Sequence, residues 1–201
     1  MLKTKLVAAA VTSVAALAAV PSAHAATDYF MTVTPVGGQP TLKGESLDTY
    51  YQPKGAIDIT SFRWSAENTV SLGTATGGAG TGKAQLGDLT VDKAVDSTTP
   101  QFLKNLTTGQ YFQRVQIFAC KAGDNSSAWT TYSFAMVFVK AQEQSGSAGD
   151  DVPTEKLTFA YGAVGQQVKR QATSGIAAGV FESSWSQILN KPAVATDVPF
   201  T

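Results

Sequence analysis

Short runs of alternating apolar and polar residues, separated by turns rich in Gly, Asn, Asp and Ser, recur along most of this 201-residue chain. A period of two suits half-buried strands and not helices, so the pattern predicts a mainly β fold. Tyr29 to Thr34 alternates and reads as a first strand, ended by a turn at Val36-Gly37-Gly38-Gln39-Pro40. Gly44-Glu45-Ser46 opens another loop, and Tyr50 to Gly55 is irregular around Pro53. Ala56 to Ala66 carries Ile57, Ile59, Phe62 and Trp64, and its apolar side changes between Ile59 and Phe62. A bulge or bend near Thr60-Ser61 produces such a switch.

Ala84 to Val95 reads as a strand anchored by Leu86, Leu89 and Val91. Tyr111 to Cys120 places Val115, Ile117 and Ala119 on one face, and Trp129 to Val139 follows as another strand. Lys156 to Tyr161, with an extension to Val168, is the last clear strand. Between them, Lys121 to Ser127 and Gln144 to Val152 read as polar turns and loops. Leu72 to Gly82 holds only Gly, Thr and Ala after its first residue, too little apolar surface to pack, and is expected to be a mobile loop. Asp96 to Gly109 is the best helix: Thr98 or Thr99 can cap it, Pro100 fits the first turn, and Phe102, Leu103 and Leu106 make an apolar face. The final stretch, Gln171 to Thr201, is poor in charge; Phe181, Trp185, Ile188 and Leu189 could form one face of a short helix docked on a neighbour or on the chain's own barrel. Five to seven strands and one helix predict a small β-barrel or sandwich with one side helix. Residues 26–170 are read as that domain and 171–201 as a C-terminal extension.

The N-terminus precedes this domain and differs from it. Lys3 and Lys5 are followed by an uncharged run from Leu6 to Val20, then Pro21 and Ala23-His24-Ala25. Basic, apolar and small-residue segments in that order make a secretory signal with cleavage after Ala25. The apolar run falls short of the roughly 20 residues that span a bilayer, and no later stretch is apolar enough to span one. The protein is therefore expected outside the cytoplasm, periplasmic or extracellular, with no membrane span once residues 1–25 are removed.

Cleavage changes the chemistry available. With Lys3 and Lys5 gone, 13 basic residues face 15 acidic ones, so no basic excess favours nucleic acid as a partner. His24 is the sole histidine and leaves with the signal, which excludes Ser-His-Asp and Cys-His catalysis and histidine-ligated zinc. Cys120 is the sole cysteine; it cannot form an internal disulfide and reads as a buried thiol, the alternative being a bond between subunits. No carboxylate pair stands out for a glycosidase. Gly77 to Lys83 fits a phosphate-loop spacing, but Ala84 stands where Ser or Thr would hold magnesium, and a strand follows. Asp150-Asp151 lacks the further oxygens of a calcium site. Asn105-Leu106-Thr107 and Asn125-Ser126-Ser127 are glycosylation sequons, the first inside the expected helix. The residues thus imply no enzyme and no cofactor. A secreted binding module, with Trp64, Trp129 and Trp185 or several Tyr stacking on sugar rings, is the alternative to a structural role; an exposed row of these aromatics would favour it.

The order of segments from about Asp28 to Lys169 resembles the haemolysin-coregulated protein (Hcp) family of type VI secretion systems. Asp28-Tyr29-Phe30 is similar to the acidic-plus-aromatic start of that family's first strand, Gly44-Glu45-Ser46 to its Gly-Glu-Ser, and Ile57 to Trp64 to its second strand. Gly80-Thr81-Gly82-Lys83 sits where the family has a Gly-rich loop running into Gly-Lys. Thr90 to Gly109 is similar to its strand, Asp-Lys-x-(Ser/Thr)-Pro and helix. Lys121-Ala122-Gly123 matches a Lys-Ala-Gly turn, and Ser145 to Glu155 the loop before its last main strand. Each match is weak alone; seven in order are not.

The resemblance implies a homo-oligomer, a six-membered ring that stacks into a tube and carries secreted cargo or effector proteins. Ring closure needs a heterologous contact repeated around an axis, and stacking needs a second contact between ring faces. The loop from Ser71 to Lys83 is the expected stacking contact by analogy, with Asp150 and Asp151 on a second assembly loop. A signal peptide departs from the family, whose tubes are built in the cytoplasm and expelled by a contractile machine. Export through the signal predicts that the mature protein begins at Ala26, which intact-mass measurement of the exported material checks; exported protein that retains Met1 contradicts it.

Overall fold

The switch of apolar side at Thr60 is where the barrel closes. The computed structural model describes residues 26–71, 80–122, 128–171 and 177–193. Its strands are β1 (Thr27–Pro35), β2 (Ile57–Ile59), β3 (Ser61–Arg63), β4 (Ala66–Glu67), β5 (Val70–Ser71), β6 (Gly80–Thr81), β7 (Gln85–Leu86), β8 (Leu89–Ala94), β9 (Tyr111–Lys121), β10 (Thr130–Ser145), β11 (Thr154–Gln171) and β12 (Ala177–Ser186). One helix, α1 (Thr99–Thr108), lies between β8 and β9, and a short 3-10 turn spans Gln52–Lys54. The main sheet runs β2-β1-β9-β10-β11-β8-β3, with β12 on β11. Its two ends, β2 and β3, are the same stretch of chain interrupted only by Thr60. β2 pairs antiparallel with β1 and β3 with β8. At the junction the Thr60 amide donates to the Asp92 carbonyl at 2.8 Å, and its hydroxyl to the same oxygen at 2.9 Å. Seven strands thereby curl into a nearly closed barrel, which removes the two edges an open sheet would expose.

The inward faces fill it. Ile57, Met31, Ile117, Phe134, Leu157 and Val91 are all at most 1% exposed, and each belongs to a different barrel strand. A large apolar side chain buried in this way contributes about 1.5–3 kcal/mol. Halfway along, the inward face of β10 changes phase: Phe134 is buried, and so are Val137 and Val139. Met136, with φ 52°, absorbs the shift and turns outward. It lies beside Gly162 of β11, where an added Cβ would come within 2.7 Å of Ile188. Gly162 thus admits the turn after β12, whose Gln187 amide donates to the Gly162 carbonyl at 3.1 Å.

A second cluster sits outside the barrel wall. Tyr51 stacks on Phe30 with ring centroids 4.4 Å apart, and its hydroxyl accepts from the Cys120 thiol at 3.1 Å and the Ala128 amide at 3.0 Å. Burial pushes both the Tyr51 and the Cys120 groups above their ordinary values. Cys120 is buried, and its thiol packs with Tyr51.

Several elements differ from their sequence expectations. Among the described residues strand segments number twelve in place of five to seven, because the chain between β1 and α1 forms several short pieces. The stretch read as a strand from Ala84 divides at Gly87, whose amide bonds Ser65. β10 and β11 run longer than expected, to Ser145 and from Thr154, and the intervening loop, expected over Gln144 to Val152, spans residues 146–153. The final segment forms a strand, not a helix: β8 covers β11 only over residues 154–159, and β12 takes the edge left open from 163 to 171. On α1, Leu103 faces solvent, and Phe102 alone of the expected face is fully buried, edge-on to Phe112 and Phe159. Neither threonine caps the helix with its side chain, because Thr98 donates to Asp96 and Thr99 to Glu155. The expected loop centre, 72–79, and the extreme ends, 1–25 and 194–201, lie outside the described residues.

Those diverted hydroxyls belong to a buried ionic network that joins α1 to the barrel. Lys93 Nζ meets Glu155 at 2.9 Å and Asp96 at 2.8 Å, with both the Lys93 and Glu155 side chains fully buried. Gln142 of β10 donates to Glu155 and, at 3.2 Å, to the Thr99 carbonyl. Removing one member leaves a desolvated charge without its partner. Glu155→Gln is therefore expected to cost about 3–5 kcal/mol, read by denaturant unfolding; a loss within experimental error of zero would mean the network is not holding the helix.

Candidate functional site

Two loop clusters carry the residues expected to mediate assembly, and the strand register places them toward opposite ends of the barrel. The first is an arm. Beyond β3 and before β8, the chain continues as paired fragments: β4 with β7, Ala66 opposite Leu86, then β5 with β6, Val70 opposite Thr81. Ser71 ends β5 opposite Gly80, and Lys83 is exposed between β6 and β7. Because β8 begins at Leu89 opposite Phe159, the arm leaves toward the Gln171 end of β11. The second cluster is the turn between β10 and β11, at the Thr154 end. Asp150 and Asp151 lie there, both exposed; the Asp150 carboxylate accepts from the Ser147 amide at 2.7 Å and so shapes the turn. The structure thus does not bring the four residues together.

Tyr161 roots the arm. Its hydroxyl donates to the Gly87 carbonyl at 2.8 Å and accepts from the Trp64 indole, while its ring packs on Phe134 at 4.8 Å. Trp64 in turn packs against Tyr132 and Phe134. This anchor was invisible in sequence, where Tyr161 is one more inward residue of a strand.

The third surface is an open edge. β12 pairs with β11 on one side. On the other, among the described residues, only its end is met, where Ser186 bridges to Lys191 and Ser184 bonds Ala193. Along the open part, Val180 is 53% and Phe181 62% exposed. Ile188 and Leu189 in the following turn are also exposed, and Met136 and Phe138 of β10 stand outward beside that turn's docking point. Unpaired backbone next to exposed apolar side chains is the usual signature of an association surface.

Among the described residues no three His, Cys, Asp or Glu side chains come together to hold a metal. Asp96 and Glu155 both bind Lys93 inside the wall. The tryptophans make no exposed row: Trp64 and Trp185 are half-buried and only Trp129 is exposed. Among the described residues no helix is long and apolar enough to cross a membrane.

Comparison with known proteins matches this architecture. The family model described as "Type VI secretion system effector, Hcp" matches residues 30–168. Protein hcp1 of Pseudomonas aeruginosa is 27% identical over 94 residues, which cover 46% of this chain and 58% of that relative's length. A solved structure of a type six secretion system protein superposes with TM-score 0.74 at 29% identity, over 84% of this chain and 100% of the other. Hcp1 from Salmonella typhimurium shares the fold at TM-score 0.64 and 22% identity, over 84% and 99% of the two chains.

The arm's root is testable through Tyr161. Burial pushes its hydroxyl from the ordinary 10 up to about 12. The folded chain keeps this proton where the unfolded chain releases it, so the stabilisation is full below pH 10 and is lost as pH rises toward 12. Tyr161→Phe is expected to cost about 1 kcal/mol, to flatten part of that alkaline fall, and to speed amide exchange in the 64–71 and 80–87 segments. Unchanged exchange there would show that the arm is held by something other than this hydroxyl.

Proposed function

This chain belongs to the Hcp family of type VI secretion proteins, and from that premise we propose that it is a non-enzymatic structural subunit which assembles with copies of itself into rings of six. The observation that carries this reading is the open edge of β12. Among the described residues, the stretch of that edge from Ala177 to Ser183 has no strand partner besides β11, and Val180 and Phe181 are exposed on it. A repeated head-to-tail contact at this edge would satisfy it and close a ring.

Stacking of rings is assigned to the two loop clusters. The arm, with Ser71 and Lys83, and the turn, with Asp150 and Asp151, lie toward opposite ends of the barrel, so stacked rings would bring the arm of one toward the turn of the next. The charges are complementary: Lys83 on one side, two carboxylates on the other. An exposed pair is worth only about 0.2–1 kcal/mol, but six copies act together in each junction. The tube so formed would carry secreted cargo or effector proteins. The signal over residues 1–25 supports export of the subunit by a route of its own, with assembly outside the cytoplasm.

The mature chain, Ala26 to Thr201, is expected to run as a six-subunit species by native mass, unchanged by reductant because Cys120 is buried. Lys83→Glu should leave that ring intact and abolish longer stacks, and combining it with Asp150→Lys and Asp151→Lys should restore them. A monomer at high concentration would sink the ring, and stacks indifferent to these charges would sink the stacking assignment alone.

A further inference from the structure

Three cations line a single concavity on the outside of the barrel wall. Lys54 of the 3-10 turn, Arg114 of β9 and Lys169 of β11 border a cavity of about 470 Å³, together with the hydroxyl-bearing Thr32, Thr34 and Thr131. No carboxylate lines it. Among the described residues the ion pairs are those of Lys93 with Asp96 and Glu155 and of Lys140 with Asp88, so none of the three cations is neutralised by an acid.

Arg114 is the telling member. Its Nε is buried and has no hydrogen-bond partner. Burial also pulls its guanidinium below the ordinary value, the direction expected when a cation is desolvated without compensation. A guanidinium offers five donors in a fixed plane that suits an oxyanion, and a desolvated one is costly to keep without an anion. Aromatic side chains line it as well: Tyr50, Tyr51 and Phe118, with the Lys54 ammonium 3.7 Å from the centre of the Tyr50 ring. Cations, hydroxyl donors and aromatic side chains gathered around one concavity are the features of a pocket for a small organic anion.

The geometry points to this pocket as a binding site for a small phosphate- or carboxylate-bearing molecule, held by Arg114 with Lys54 and Lys169. Its volume exceeds that of one oxyanion and leaves room for an organic body beside the charged group. The site does not depend on the ring, because every lining group comes from one chain.

The test is thermal unfolding of the mature chain in inorganic phosphate and, separately, in citrate, each against sodium chloride of matched ionic strength. A saturable rise in Tm in either arm is expected, and which arm rises names the headgroup. Arg114→Gln should shift half-saturation by about ten- to a hundredfold, the loss of a charge-assisted hydrogen bond or two. Lys54→Gln, at an exposed position where folding is not at stake, should weaken binding severalfold. Lys104→Gln, a surface cation on α1, should change nothing. The proposal is overturned by no rise in either salt, or by a non-saturable rise shared equally by the wild type and both pocket variants, which is the general effect of excluded salts.

Discussion

The barrel depends on seven residues being shared between two strand pairs. Residues 57–59 complete one end of the sheet and 61–63 the other, so a single length of chain is both first and last strand. Thr60 makes this possible by turning both its amide and its hydroxyl to the Asp92 carbonyl. Once that seam is shut, the remaining features follow from it. The inward faces enclose an apolar core, the arm leaves the wall at Arg63, and β12 pairs with the stretch of β11 that β8 does not cover.

Much of this was legible from the amino acids. The change of apolar side between Ile59 and Phe62 announced a break at Thr60 from the arithmetic of alternation alone. The inward set of β9, Val115, Ile117 and Ala119, is buried as its spacing predicts. What could not be read is which strand each half of the 57–63 segment would join. Pairing partners are set by long-range packing, and a local pattern carries no record of them. The same limit explains β12: Phe181, Trp185, Ile188 and Leu189 fit a helical spacing, but an unsatisfied edge on β11 outbids a weak helix in a stretch rich in Gly and Ser.

The motifs that carried the family resemblance are mostly scaffold. Gly44 is required because an added Cβ would lie 2.1 Å from the Ala56 carbonyl. Glu45 accepts from the Ser97 amide at 3.0 Å, ahead of α1. Ser46 is buried and accepts from the Asp48 amide. Lys93 and Glu155, quoted only as parts of longer matches, are the ends of the buried ionic network. A residue string of this kind reports how the chain is held together. The surfaces that would meet other copies, Val180 and Phe181 above all, fall outside every such string, because exposed positions are not constrained by the packing of their own chain.

The strand order also has a kinetic side. β1 finds its partners in β2 and β9, while β8 waits for β11, which lies far downstream. Few of these contacts are local, and topologies of this kind fold slowly, since loop closure must precede the gain from pairing. A chain emerging from its N-terminus cannot shut its seam until residues beyond 154 have arrived. Until then β8 keeps one edge without its partner, and an unpaired strand edge in a half-made chain is open to association with other chains.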